Sequence, residues 1–243
     1  MTPAGLRGAA AVAALTLLLA SSAAGAASHH SFAVISARDV QPSQVLPLPP
    51  ADGSPAAKAE LDELHRIARA TTAAAWKAAQ WDNDHEDGGM FAPVFGSGFD
   101  LKALPATAKL LADVRNDEAT AASLAKDAFR RKRPWLIDGT LHTCSRDEDP
   151  LSSYPSGHST MGFAMAVVLA RVAPELAPQL MTRASEYANE RLVCGMHYRS
   201  DIEGGQTLGT SVAVLMLRDP RIETEVAAAR AELIAAHLVT PSS

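Results

Sequence analysis

The feature that most restricts this chain is the helical spacing of its apolar residues, which recurs from residue 55 almost to the C-terminus. No segment sustains the period-two alternation that a half-buried strand needs. Alanine, leucine and valine fill these runs, and aromatics make up only 5% of the chain. Long alanine-rich runs without β-branched clusters favour helix. The expected fold is therefore all-α, a single-domain helical bundle. With 243 residues, 47% of them hydrophobic, the chain is long enough to bury one sizeable core.

The helices can be placed from their punctuation. Ser54-Pro55 supplies a cap and a first-turn proline. Leu61, Leu64, Ile67, Ala68 and Ala75 continue a stripe to about Gln80, with Thr71 its one polar break. Residues 81–104 hold Gly88, Gly89, Gly96 and Gly98 and read as a long loop. A helix follows over Pro105 to Arg131, open to a break near Asn116, and Pro134 ends it. Residues 134–156 read as loop. Further helices are expected at 157–172, 175–194, 200–217 and 220–237, the third with Ser200 and Glu203 at capping-box spacing. None is long and apolar enough to span a bilayer.

The N-terminus divides into two segments. Residues 1–27 read as a signal peptide: Arg7 is the basic start, Ala9 to Ala20 the apolar core, and Ala24-Gly25-Ala26 the small-residue cleavage site. The apolar core is short for a membrane anchor, which needs about 20 residues. Cleavage is expected after Ala26 or Ala27, giving a periplasmic or secreted protein. Residues 28–54, with Pro42, Pro47, Pro49 and Pro50, read as an extended arm and not a packed element. The helical domain then occupies 55–243. Cys144 and Cys194 are the only cysteines. An even pair in an exported chain is read as a disulfide.

Charge excludes some function classes. A net charge of −5 lacks the basic surplus of a nucleic-acid binder. The stretch Asp82 to Asp87 has its glycine one place late for a calcium loop and Pro93 where the closing glutamate belongs, so it reads as a solvated acidic loop.

Three segments carry candidate chemistry. Lys126, Arg130 and Arg133 fall on one helical face, with Arg130, Arg131 and Lys132 read as surface charges. Ser156-Gly157-His158 lies where a loop meets a helix, so backbone donors there favour an anion and His158 can protonate a leaving oxygen. His197 and Asp201 are four residues apart, close enough for the carboxylate to hold one imidazole nitrogen and leave the other to attack. Arg191 offers a planar guanidinium to phosphate. Taken singly these are a basic helix end, a cap with a surface histidine, and a surface His–Asp pair. Together they supply the cations, anion nest, acid and nucleophile that phosphoryl transfer requires.

In this order, Lys126…Arg133-Pro134, Pro155-Ser156-Gly157-His158 and Arg191…His197…Asp201 resemble the signature of the bacterial class A non-specific acid phosphatases. That family belongs to the type 2 phosphatidic acid phosphatase and vanadium haloperoxidase superfamily. The signature spans residues 126–201, with a looser likeness from about Trp81 onward. The resemblance implies an all-helical acid phosphatase that hydrolyses small-molecule phosphate monoesters through a phosphohistidine. His197 would be the nucleophile, Asp201 its orienting group and His158 the general acid. Lys126, Arg133, Ser156, Gly157 and Arg191 would bind phosphate. No metal, cofactor, nucleic acid or stable membrane insertion is implied, and a homo-oligomer is expected. The alternatives are a vanadium-dependent haloperoxidase and a soluble lipid phosphate phosphatase. One position departs from the signature: Glu190 stands where serine is usual. A helix turns residue 190 by about 100° from Arg191, so Glu190 is expected to point elsewhere.

Overall fold

A computed structural model describes Met1 and residues 31–240. The expected signal peptide lies outside the described residues, Met1 apart. Every regular element among them is helical: α1 (Pro42–Val45), α2 (Pro55–Ala70), α3 (Ala73–Asp84), α4 (Ala92–Phe95), α5 (Pro105–Phe129), α6 (Pro134–Ile137), α7 (Gly157–Val172), α8 (Ala177–Val193), α9 (Arg199–Met216) and α10 (Pro220–Ala235). Short 3₁₀ turns at Gly88–Phe91 and Pro174–Leu176 precede α4 and α8. No helix of the described residues is long and apolar enough to cross a membrane.

Helix α7 is the axis of the bundle. Twelve of its residues are buried, among them Met161, Phe163, Met165, Val168 and Leu169. A helix apolar on all sides has to be enclosed, and α5, α8, α9 and α10 enclose it. The tightest crossing is α7 on α9, and glycine makes it. A Cβ on Gly209 would lie 2.2 Å from the Thr160 carbonyl oxygen, and one on Gly205 would lie 2.7 Å from that of Ser156. Those glycines draw the start of α9 onto the start of α7, the two elements that carry Asp201 and Gly157.

Several boundaries differ from the sequence reading. The first long helix is two, because Thr71 is extended and Thr72 caps α3 by accepting from the Ala75 amide. Helix α5 runs unbroken past Asn116 and stops at Phe129, where Arg130 takes a left-handed φ of 47°. Arg133 therefore lies beyond the helix, at the cap of α6, and not on a shared face with Lys126. Helix α9 begins at Arg199, and Asp201, not Ser200, caps it by accepting from the Tyr198 amide at 2.8 Å.

The N-terminal arm is packed, contrary to expectation. Val40 and Leu46 are buried in the main core. The buried Asp117 of α5 accepts the amides of Ala33, Val34 and Ile35 at 2.6 to 3.0 Å. A buried carboxylate needs partners, and three consecutive backbone donors supply them. The two cysteines form a disulfide, Cys144–Cys194.

Candidate active site

One end of the bundle gathers the candidate residues of all three sequence segments. Lys126 comes from the last turn of α5, Arg133 from the α6 cap, and Gly157 and His158 from the first turn of α7. Arg191 comes from the last turn of α8, His197 from the α8–α9 connection, and Asp201 from the first turn of α9. Arg133 and Arg191 are fully buried, and His197 is 1% exposed. A Cβ on Gly157 would sit 3.4 Å from the Lys126 ammonium, so that cation lies directly against the α7 N-terminus. Ser156 caps α7 by accepting from the Ser159 amide, and its own amide donates to the Asp201 carbonyl.

The surroundings of His197 fix its tautomer. Nδ1 is 2.8 Å from the Ser153 carbonyl oxygen, which can only accept, so Nδ1 carries the proton. Nε2 is 2.9 Å from an Arg133 guanidinium nitrogen, which can only donate, so Nε2 presents its lone pair. Burial, followed by the charges of Arg133 and Arg191, holds the imidazole well below the ordinary histidine value, so the ring is neutral. Asp201 does not make the shortest contact to this ring: its Oδ2 is 3.4 Å from Nδ1. It accepts instead from the Ser153 hydroxyl at 2.6 Å, the Tyr198 amide and Arg131. The carboxylate thus fixes the segment whose carbonyl holds His197.

His158 is 7% exposed and stacks on Tyr187, with ring centroids 5.5 Å apart. Its Nε2 faces the Asn83 carbonyl at 3.4 Å, and its Nδ1 lies 3.5 Å from Glu86 Oε1. Burial, followed by the charge of Arg191, pushes this ring well below its ordinary value as well. Burial and Arg133 lower the Lys126 ammonium. Lys126, Arg133 and Arg191 thus converge around His197, with the carboxylate of Glu148 set against the two guanidinium groups.

A profile of the PAP2 superfamily matches residues 110–224. The matched segment carries Lys126, Arg133, His158, Arg191, His197 and Asp201. Similar proteins include the non-specific acid phosphatase of Providencia stuartii, 30% identical over 62% of this chain and 64% of that protein. That match spans just under two thirds of the relative. The non-specific acid phosphatase of Salmonella typhimurium is 29% identical over 77% of this chain and 78% of its own length. A solved bacterial vanadium-dependent iodoperoxidase shares the fold, with a TM-score of 0.52 and 19% identity over 74% of this chain and 53% of that one. The all-helical expectation therefore holds at the level of the fold.

Several residues of this site escaped the sequence reading. Arg131 was expected at the surface. It is 6% exposed, donates to Asp201 at 2.6 Å and to Glu60 at 2.7 Å, and lies over the Tyr198 ring. Arg130 and Lys132 do lie at the surface. Asn83 accepts from Arg191 at 2.7 Å through its side chain. Asp82, placed in a solvated loop by the sequence reading, is buried against Arg183. Glu148 bonds Arg133 and approaches Arg191 at 3.6 Å. Their only sequence signal was membership of the acidic runs 82–87 and 147–149. Glu190 lies near Asp82 and Arg183, as its helical offset from Arg191 required.

Proposed function

We propose that this chain is an acid phosphatase that hydrolyses small phosphate monoesters through a phosphohistidine on His197. The observation that carries the reading is the pair of contacts on that ring. Ser153 holds the Nδ1 proton, so the Nε2 lone pair points among the buried guanidinium groups. The likeness to proteins named acid phosphatase favours hydrolysis over the oxidative chemistry of the iodoperoxidase.

The steps follow from the geometry. The phosphoryl oxygens take the donors of Arg133, Arg191 and Lys126 and the amides at the start of α7, and Arg133 leaves Nε2 to do so. Nε2 then attacks phosphorus, the bond to the ester oxygen breaks, and protonated His158 gives its proton to the departing alkoxide. Neutral His158 next removes a proton from water, which attacks the phosphoryl group. The P–N bond breaks, and phosphate and free His197 are released. Ser153 and Asp201 keep the ring in one tautomer throughout.

Hydrolysis of an aryl phosphate in the presence of a chelator tests the activity, since these roles are all assigned to groups of the protein. Acid-labile label on His197 after quenching tests the intermediate. Label on a serine or aspartate would overturn it. Export to the periplasm or medium, read from residues 1–27, and homo-oligomeric assembly belong to the same proposal. N-terminal sequencing of the mature protein and light scattering test them.

A further inference from the structure

We propose that Glu148 is an internal occupant of the phosphoryl site, which the incoming phosphoryl group displaces, so that this carboxylate sets the affinity for phosphate oxyanions. The inference rests on the phosphatase reading of the site. Glu148 lies on the connection between α6 and α7. One of its oxygens accepts from Arg133 and the other lies 3.6 Å from Arg191. The same two guanidinium groups are the fully buried cations that face His197. Burial would raise the Glu148 carboxyl, but the charges of Arg133, Arg191 and Lys126 outweigh it and hold the group ionised.

A carboxylate fills this place incompletely. Arg133 Nε, Arg191 Nε and one terminal nitrogen of Arg191 are buried without a hydrogen-bond partner. Leaving such donors unpaired costs about 1–3 kcal/mol each elsewhere in proteins. A carboxylate has two oxygens and one charge. A phosphoryl dianion has three terminal oxygens and two charges, so it satisfies donors that Glu148 leaves open. Both anions cannot share the site, because like charges at that separation repel.

The loop also permits the exchange. Cys144 is tied to Cys194, and Ser152 accepts from Arg133 at 3.0 Å, so the segment is pinned on both sides of residue 148. The Glu148 side chain between those anchors is 36% exposed, which leaves solvent on one side for it to enter. Displacement then needs a side-chain rotation and no opening of the fold. A site whose competent state is only partly populated binds more weakly by that fraction.

Calorimetric titration with inorganic phosphate tests this directly, in the wild type, Glu148→Gln, Glu148→Ala and Asp147→Asn. Asp147 is exposed on the same loop and contacts Ser145, not the arginines. Both Glu148 variants should bind phosphate about tenfold more tightly, and Asp147→Asn should change binding by less than about twofold, as expected for an exposed charge. Weaker or unchanged binding in the Glu148 variants would overturn the proposal, as would equal tightening in Asp147→Asn. The readout is independent of turnover. A wild type that binds phosphate but hydrolyses no ester would defeat the phosphatase reading and leave the Glu148 result standing.

Discussion

Arg131 donates to Asp201 across 2.6 Å, in a place where both side chains are almost completely shielded from solvent. Asp201 in turn holds the Ser153 hydroxyl, and the Ser153 carbonyl holds His197. Arg131 is thereby linked to His197, the proposed nucleophile, through Asp201 and Ser153. Glu60 of α2 accepts from the same guanidinium at 2.7 Å and from the Ser200 amide, which ties α2 to the start of α9.

Arg131→Ala should therefore damage both stability and turnover. It leaves Asp201 buried with its charge uncompensated, a change that costs about 3–5 kcal/mol in comparable pairs. Denaturant unfolding should show that loss. At temperatures where the variant remains folded, kcat should fall more than KM rises, because phosphate contacts survive while His197 loses its fixed orientation. Arg131→Lys should rescue little, since one ammonium does not reproduce the three directed bonds to Ser200, Asp201 and Glu60 and the stacking on Tyr198. A fully active, fully stable Arg131→Ala would refute the relay.

The disulfide makes a separate prediction. Cys144–Cys194 joins the loop carrying Glu148 to the segment between Arg191 and His197. It closes a loop of 50 residues, for which the chain-entropy account gives about 4 kcal/mol. Cys144→Ser should lower the unfolding midpoint accordingly. Activity measured well below that midpoint should fall less, because Ser153, Asp201 and Arg131 still hold His197. Thiols that react freely in the native, oxidised protein would show that the bridge does not form.

The sequence exposed the candidate reacting groups because phosphoryl transfer restricts the residue types that can serve at such positions. Lys126, Arg133, His158, Arg191, His197 and Asp201 lie at short intervals in three segments, and the fold brings the segments together. Arg131 was not legible in the same way. It stands in the run Arg130-Arg131-Lys132, where local pattern cannot say which cation turns inward. Burial was decided by Asp201 and Glu60, which are 70 and 71 residues away. The arm was misread for a similar reason. Its backbone donors find Asp117 more than 80 residues on, a pairing with no local signature. The glycines at 205 and 209 did have a readable spacing, one helical turn, but only the contact with Thr160 and Ser156 shows that they set the approach of α9 to α7.

Glu86 gives a prediction about pH. In the proposed mechanism the protonated form of His158 is the active acid, and the groups facing it are mostly cations: Arg191, Lys126 and, when charged, His197. The neutral neighbours are Tyr187 and the Asn83 carbonyl. Glu86 is the carboxylate against its Nδ1, and Arg115 holds Glu86 from the other side at 3.2 Å. An opposite charge at that distance favours the imidazolium. Glu86→Gln should therefore lower the His158 pKa and move the alkaline limb of kcat/KM toward acid. Glu86→Asp should restore part of the shift. A limb that stays in place while activity drops would mean that Glu86 serves only to support the loop.

The final prediction concerns His158 itself, and begins from the sign of its shift. Burial and neighbouring charge depress its pKa in the free protein, so the protonated acid is lost as pH rises through a value below the ordinary histidine value, about 6.5. A bound phosphoryl dianion opposes those cations and raises the value again. The alkaline limb of kcat/KM, which reports the free enzyme, should therefore lie at lower pH than the limb of kcat, which reports the complex. His197 is also depressed, so its neutral form persists into acid, and the two requirements together place the maximum on the acid side of neutrality. His158→Ala removes the proton donor. Esters with poor leaving groups need that proton and aryl esters with good ones need it less. The variant should thus lose at least about tenfold more rate on an alkyl phosphate than on a nitrophenyl phosphate, within the range that general acids contribute. Its remaining aryl activity should also lose the alkaline limb. Equal losses on the two esters, or an alkaline limb that survives the substitution, would assign the proton to another group.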